Sequence, residues 1–198
     1  MGKIEEFDKL REEIKNCKIC YNYFGFPPKP YFFGCIDSKI MQISQAPSKR
    51  VHYSGKPFDD KSGERLRKWY GIDEKTFYDE RIFYMTSLSH CYPGKNKNNQ
   101  DNKPPLICAK KYLLREIKLV NNKIYIIVGS IAAKFLFPNK DFTQLVFDSP
   151  KKLNNKPAYI LPHPSPQNIK WFKQNPEFYN ICLLKLRKMI KEIVNGTK

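Results

Sequence analysis

Long apolar runs are missing from this chain: no segment of its 198 residues approaches the roughly 18 consecutive apolar positions that a membrane-spanning helix needs. The N-terminus also lacks a signal-peptide core, since Glu5, Glu6 and Asp8 interrupt Ile4, Phe7 and Leu10. Position 6 is Glu6, where an N-myristoylation signal needs Ser or Thr. A soluble, cytoplasmic protein with no membrane partner is expected. Acidic residues are scarce: 19 Asp and Glu stand against 36 Lys and Arg, a net charge of +17. Such an excess favours a polyanionic partner, nucleic acid first, through neutralisation of phosphates and release of their counterions. A compositional bias that merely solvates the surface would leave the same charge, so charge alone does not decide function. Length limits the architecture too, because a single domain over residues 1–198 can bury a real core and two could not do so comfortably.

What is present is an alternation of short apolar runs and amphipathic stretches. Phe7, Leu10 and Ile14 recur at helical spacing over residues 5–16. Ile40, Met41 and Ile43 form a short buried strand that stops at Ala46-Pro47; a long polar loop follows, then a helix with its N-cap at Ser62 that contains Trp69. Residues 82–85 make a second apolar strand, which ends in Thr86-Ser87-Leu88-Ser89-His90-Cys91. Residues 94–103 are polar and of low complexity, with no capacity to form a core. Pro104-Pro105 open a helix to about Val120, with Ile107, Tyr112, Leu113, Ile117 and Val120 as its buried face. A third strand runs over residues 123–129, and a short helix behind it closes at Pro138. A fourth, over 158–161, enters Pro162-His163-Pro164-Ser165-Pro166, and a helix over about 176–194 ends the pattern. This order predicts an α/β fold, a three-layer α/β/α sandwich with a central four-stranded parallel sheet. Three of the four strands end in polar motifs, which should meet along one edge of that sheet.

Six cysteines are present. Cys17 and Cys20 form a Cys-x2-Cys pair, Cys91 follows after a gap of 70 residues, and Cys108 after 16 more. That is the pattern of a four-thiolate centre closed between distant parts of the chain. Disulfides are disfavoured in the cytoplasm, and four thiolates suit both zinc and an iron–sulfur cluster, so spacing does not choose the metal. Cys35 and Cys182 are left without an assigned role. His163 lies among prolines that stiffen the backbone directly after a strand, which gives its imidazole a set direction. It suits a hydrogen bond to an oxygen on which charge develops as a bond breaks. Phe58, behind Pro57, suits stacking on a planar ring.

In combination, Gln45-Ala46-Pro47 after a strand, Gly55-Lys56-Pro57-Phe58, Ser87 ahead of Cys91, the strand to Gly129, His163-Pro164-Ser165-Pro166 and the four cysteines resemble the uracil-DNA glycosylase superfamily over nearly the whole chain. The similarity is greatest to its iron–sulfur (family 4) branch. The resemblance implies a monofunctional DNA glycosylase of base excision repair, which flips a damaged base, uracil first, out of DNA and hydrolyses its N-glycosidic bond. It implies a structural [4Fe–4S] cluster, with zinc as the alternative, on Cys17, Cys20, Cys91 and Cys108. By the same resemblance His163 is the electrophile for the leaving group, Phe58 stacks on the base, and Gln45 and Ala46 line the sugar and base.

Two positions depart from that family. Its first motif carries a Glu that helps catalysis, and Gln45 stands there, in Ser44-Gln45-Ala46-Pro47-Ser48; the Asp of related branches falls at Ala46. An amide is no general base, so water activation passes to Asp59, Asp60 or His52, or the departing base anion stabilises the sugar cation while water is merely oriented. Ser87 replaces an Asn that reads the Watson–Crick edge, offering one hydroxyl in place of a bidentate amide. Hypoxanthine and xanthine are therefore open as substrates. Ile169 is the expected wedge for the gap left by the flipped nucleotide. Ser48, Lys49, Arg50, Ser165, Gln167 and Lys170 are the expected DNA contacts. A nucleoid-associated monomer is expected, and the rival is a catalytically silent nucleic-acid-binding protein of the same fold.

Overall fold

The computed structural model describes residues 2–21 and 25–196. Helix α1 (Lys3–Lys15) buries Phe7, Leu10 and Ile14, the stripe its spacing predicts. Strands β1 (Ile40–Ser44), β2 (Phe83–Ser87), β3 (Ile124–Val128) and β5 (Lys156–Leu161) pair in parallel, and the short β4 (Lys151–Leu153) runs antiparallel along β5. Their order is β2-β1-β3-β5-β4. The expected four parallel strands are there, and the sheet has a fifth, antiparallel edge. Asn154 and Asn155 make the β4–β5 hairpin turn at φ 44° and 60°; two successive left-handed residues match the twist of a hairpin. Lys151-Lys152-Leu153 shows no apolar run because an edge strand faces water, where lysines also discourage further pairing.

Between the strands lie α2 (Lys49–Ser54), α3 (Lys61–Tyr70), α4 (Glu74–Phe77), α5 (Leu106–Cys108), α6 (Leu114–Leu119), α7 (Ser130–Leu136) and α8 (Phe142–Phe147); α9 (Ile169–Gln174), α10 (Glu177–Asn180) and α11 (Cys182–Asn195) follow the sheet. Consecutive residues of β2 face opposite layers, as the pleat requires. Phe83 stacks on Tyr70 of α3 at 6.0 Å, whereas Tyr84 meets Phe7 of α1 at 6.1 Å. Helix α11 joins α3 on the first face, where Arg187 donates to the carbonyls of Trp69 (2.9 Å) and Lys68 (3.0 Å). On the second face α1 packs with α6.

Several local expectations are corrected. The N-cap of α3 is Asp60, which accepts from the Gly63 N–H at 3.0 Å; Ser62 lies inside the first turn. A carboxylate both caps and favours the positive end of the helix dipole. The loop after β1 contains α2, capped by Ser48. Between α5 and α6 the chain takes a π-helical turn over Ala109–Leu113. That turn shifts the phase of the helix, so Ile107 is 47% exposed while Tyr112, Leu113 and Ile117 stay buried. The expected helix over 176–194 is two pieces, α10 and α11, and α9 precedes them, with the chain bent so that Trp171 of α9 and Phe178 of α10 meet at 5.6 Å and Trp69 of α3 meets Phe178 at 5.2 Å.

Candidate active site and cysteine centre

The carboxyl ends of all four parallel strands open into one pocket of about 930 Å³, lined by Ser44 to Ala46, Thr86 and Ser87, Val128 and Gly129, and His163. Such a rim is where an open parallel sheet places ligands, because the loops diverge there. Phe58 lines the same pocket as His163. The two motifs stand far apart in sequence and meet here.

Three bonds hold the His163 segment. Asn168 Nδ2 donates to the His163 carbonyl at 2.7 Å, Arg65 Nη1 to the Pro164 carbonyl at 2.8 Å, and the Ser165 N–H to His163 Nδ1 at 3.2 Å. The last of these makes Nδ1 an acceptor, so the ring proton sits on Nε2. Burial lowers the pKa of His163 from 6.5, and the charge of Asp60 opposes that only in part. At neutral pH the group is an uncharged Nε2–H donor.

Phe58 takes a left-handed φ of 52°, unusual for an aromatic residue. Its ring is edge-on to Phe77 at 6.4 Å, and Arg67 Nη1 reaches its carbonyl at 3.5 Å. That carbonyl presses on Gly63, where an added Cβ would lie 1.7 Å from the Phe58 oxygen. Only glycine admits this approach, so the first turn of α3 and the Phe58 loop are built as one unit. The strain of about 1–3 kcal/mol is concentrated where the ring is presented.

Of the other expected site residues, Gln45, Ala46, Ser48, Asp60, Ser87, Ser165 and Gln167 line this pocket. Asp59 does not: its carboxylate pairs with Arg50 at 3.2 Å and Lys56 at 3.6 Å, and the Arg50 hydrogen bond first of all holds it below the usual carboxylate range. His52 is also outside, set among the rings of Phe26, Tyr53 and Tyr92 at 5.7, 5.1 and 6.0 Å. Lys49, Arg50, Ile169 and Lys170 sit next in sequence to the lining residues Ser48 and Asn168 without lining it themselves, and Ile169 is 48% exposed. The Ser87 hydroxyl donates to the Ser89 carbonyl at 2.7 Å, which leaves Ser87 only a lone pair for a ligand. Arg65, Asn168 and Gly63 were missed from sequence because each acts on backbone brought near only by folding.

A second, apolar cavity of about 10 Å³ is lined by Cys17, Cys20, Cys91 and Cys108, with Ile14, Pro28, Pro30, His90 and Tyr112. The four cysteines singled out by spacing therefore share one space. Burial first, then the sulfurs of Cys108 and Cys17, push the Cys20 thiol up to about 11, and the same causes raise Cys91. Among the described residues no group of three or more His, Cys, Asp or Glu side chains is set to hold a metal ion. A single zinc would need its four sulfurs about 3.8 Å apart, given bonds of about 2.3 Å. Cys35 and Cys182 lie elsewhere, with thiols at 3.4 Å from the Glu80 carbonyl and 3.6 Å from the Val146 carbonyl.

A buried polar network connects this cavity to the pocket. His90 Nδ1 lies 3.4 Å from Cys108 Sγ, and its Nε2 lies 3.1 Å from Glu116 Oε1. Glu116 also accepts from Tyr84 at 2.7 Å and from Thr86 at 2.9 Å, and Thr86 lines the pocket. Burial disfavours both charges, yet each stabilises the other: Glu116 is held below the usual carboxylate range and His90 above the usual imidazole range. The two stand 26 residues apart, and no sequence pattern joins them.

A mostly parallel α/β sheet whose strand ends gather the Phe58 ring and a neutral imidazole donor defines a class: an α/β protein with a pocket at the carboxyl edge of its sheet. The family model for the uracil DNA glycosylase superfamily matches residues 31–187, and the chain belongs to that superfamily. It is 23% identical over 138 residues to a type-4 uracil-DNA glycosylase of Sulfurisphaera tokodaii, covering 68% of this chain and 59% of that protein. A protein of the same name from Saccharolobus solfataricus is 24% identical over 138 residues, 68% of this chain and 60% of that one. Another from Thermotoga maritima is 21% identical over 136 residues, with 69% and 68% covered. The chain thus spans about 60% of the length of the first curated relatives it matches.

Proposed function

We propose that this protein is a monofunctional DNA repair glycosylase, folded as one domain, that removes uracil from DNA by hydrolysing its N-glycosidic bond. The observation that carries this is the neutral Nε2–H of His163 in the same pocket as the Phe58 ring. A base flipped from the duplex stacks on Phe58, and His163 donates to a carbonyl oxygen of that base. As the C1′–N bond breaks, its electron pair moves onto the base and His163 stabilises the anion. Water then adds its hydroxyl to the cationic C1′ and its proton passes to the departing base. Gln45, whose amide cannot take a proton, orients this water together with Asp60, the carboxylate whose charge His163 feels. Ala46 lines the sugar. Ser48, Lys49, Arg50, Ser165, Gln167 and Lys170 face the phosphates, helped by the charge of +17, and the exposed Ile169 fills the vacated stack.

Cys17, Cys20, Cys91 and Cys108 hold a [4Fe–4S] cluster in this reading. Four soft donors around one apolar space suit a cluster and a zinc ion alike, and the family resemblance favours the cluster. The cluster supplies cross-linking of distant segments, and no electron transfer enters the reaction. Anaerobically purified protein should show broad brown absorbance, whereas a colourless zinc protein would overturn the assignment.

The absence of a carboxylate at Gln45 supports one other reading, a silent binder of damaged DNA. Incubation with uracil-containing oligonucleotide followed by alkali separates the two. Strand cleavage by the wild type, lost in His163→Ala with DNA binding kept, is expected. Binding without cleavage by the wild type would establish the silent binder.

A further inference from the structure

The pocket holds one more group that faces its ligand without a protein partner. Tyr31 lines it, and its phenol oxygen is buried with no hydrogen-bond partner among the described residues. Of the buried side-chain atoms in that condition, it is the one that lines this pocket. Native proteins seldom leave a buried hydroxyl unpaired, because losing water without a replacement bond is costly.

Backbone pairing sets its place. Phe33 and Met85 form a single antiparallel bridge, which brings the segment carrying Tyr31 alongside the end of β2; two residues before it the pairing has already left register. The chain is anchored there by the Tyr31 N–H, which donates to the His90 carbonyl at 2.7 Å. Neighbouring hydroxyls are occupied. Tyr78, whose phenol influences that of Tyr31, donates to the Pro57 carbonyl at 2.8 Å. Thr86 donates to Glu116 at 2.9 Å, Ser44 to the Thr86 carbonyl at 3.4 Å, and Ser87 to the Ser89 carbonyl at 2.7 Å. Burial drives the Tyr31 phenol well above its ordinary range, so its proton is present at any working pH. The rim thus offers a free donor on Tyr31 and, in the lining of the same pocket, a lone pair on Ser87.

We infer that Tyr31 and Ser87 read the flipped base together, Tyr31 donating to its exocyclic carbonyl oxygen and Ser87 Oγ accepting from the adjacent ring N–H. This rests on the glycosylase reading above and deepens it. The substrate class is a base with a lactam edge, C=O beside N–H, as in uracil, hypoxanthine and xanthine. Cytosine and adenine present the inverse pair, an amino group beside a bare ring nitrogen, and would set donor against donor and lone pair against lone pair. A small hydroxyl at position 87 then suffices, since the second half of the contact comes from another segment of the chain.

The test is single-turnover excision by the full-length protein from oligonucleotides containing uracil, hypoxanthine, xanthine, cytosine or adenine, with wild type and Tyr31→Phe compared. Binding to an abasic-site oligonucleotide, which has no base to read, is measured in parallel. Expected are cleavage confined to the lactam-edge bases and a loss of about 10- to 100-fold in uracil excision for Tyr31→Phe, the effect of one hydrogen bond to a substrate, with abasic-site binding unchanged. Uracil excision unchanged by the substitution would overturn the role of Tyr31 while leaving the glycosylase reading intact. A matching loss of abasic-site binding would overturn it as well, by showing damage to the pocket wall. Failure of the wild type to cut any of the five would remove both readings.

Discussion

The Ser165 N–H and His163 Nδ1 lie 3.2 Å apart, and this bond between residues two apart fixes which nitrogen of the imidazole can act. With Nδ1 accepting from the backbone, Nε2 carries the proton and becomes the donor. Ser165 sits at φ −67°, ψ 157°, a conformation proline also adopts. Ser165→Pro therefore removes the N–H with little steric change. Excision of uracil should fall about fivefold, the worth of one hydrogen bond of about 1 kcal/mol, relative to Ser165→Ala, which loses the same hydroxyl but keeps the N–H. An unchanged rate would show that the tautomer is set by something else.

His163→Ala and Gln45→Ala separate a charge-stabilising group from an orienting one. Loss of a preorganised donor to a developing anion costs about 100- to 1000-fold in rate, and Gln45→Ala should cost far less. Equal losses in single-turnover assays would give Gln45 a direct chemical part.

Acid should weaken the fold through His163. Burial places its folded pKa below 6.5, so as pH falls the unfolded chain takes up the proton first. The stability cost begins below about pH 6.5 and is complete below the folded pKa. Urea midpoints measured at about pH 7 and about pH 5.5 should converge in His163→Asn relative to wild type. An identical pH dependence in both proteins would contradict a buried neutral imidazole.

Gly63→Ala should damage the site through the backbone. The added methyl meets the Phe58 carbonyl at 1.7 Å, and neither atom belongs to a flexible side-chain end. A loss of about 1–3 kcal/mol is expected from overpacking, with a fall in uracil excision as the Phe58 loop is displaced. Wild-type stability and activity in this variant would mean that the loop yields freely.

Glu116→Ala leaves Tyr84, Thr86 and His90 buried without their acceptor. Breaking a buried pair from one side costs about 3–5 kcal/mol, and Glu116→Gln, which keeps one carbonyl oxygen, should cost less. Denaturant unfolding of both variants gives the comparison, and a change in Glu116→Ala no larger than at a surface site would count against the network.

By itself the sequence determined the features that depend on local pattern. Apolar runs of four or five residues marked β1, β2 and β3, and proline or polar residues marked where they stop, because strand burial and chain breaking are encoded residue by residue. Parallel connectivity follows from the alternation of those runs with helices, and it is enough to bring Phe58 and His163 to one rim and Cys17, Cys20, Cys91 and Cys108 to one cavity. Tertiary structure alone decided between chemically equal neighbours. Asp59 and Asp60 are adjacent carboxylates, yet Asp59 turns to Arg50 and Lys56 while Asp60 caps α3 at the pocket. Nothing local to Tyr31 states that its phenol is left unpaired, nor to His90 that Glu116 waits 26 residues on. Hydrogen-bond satisfaction is a sum over every group that folding brings near, and that sum exists only once the chain is closed.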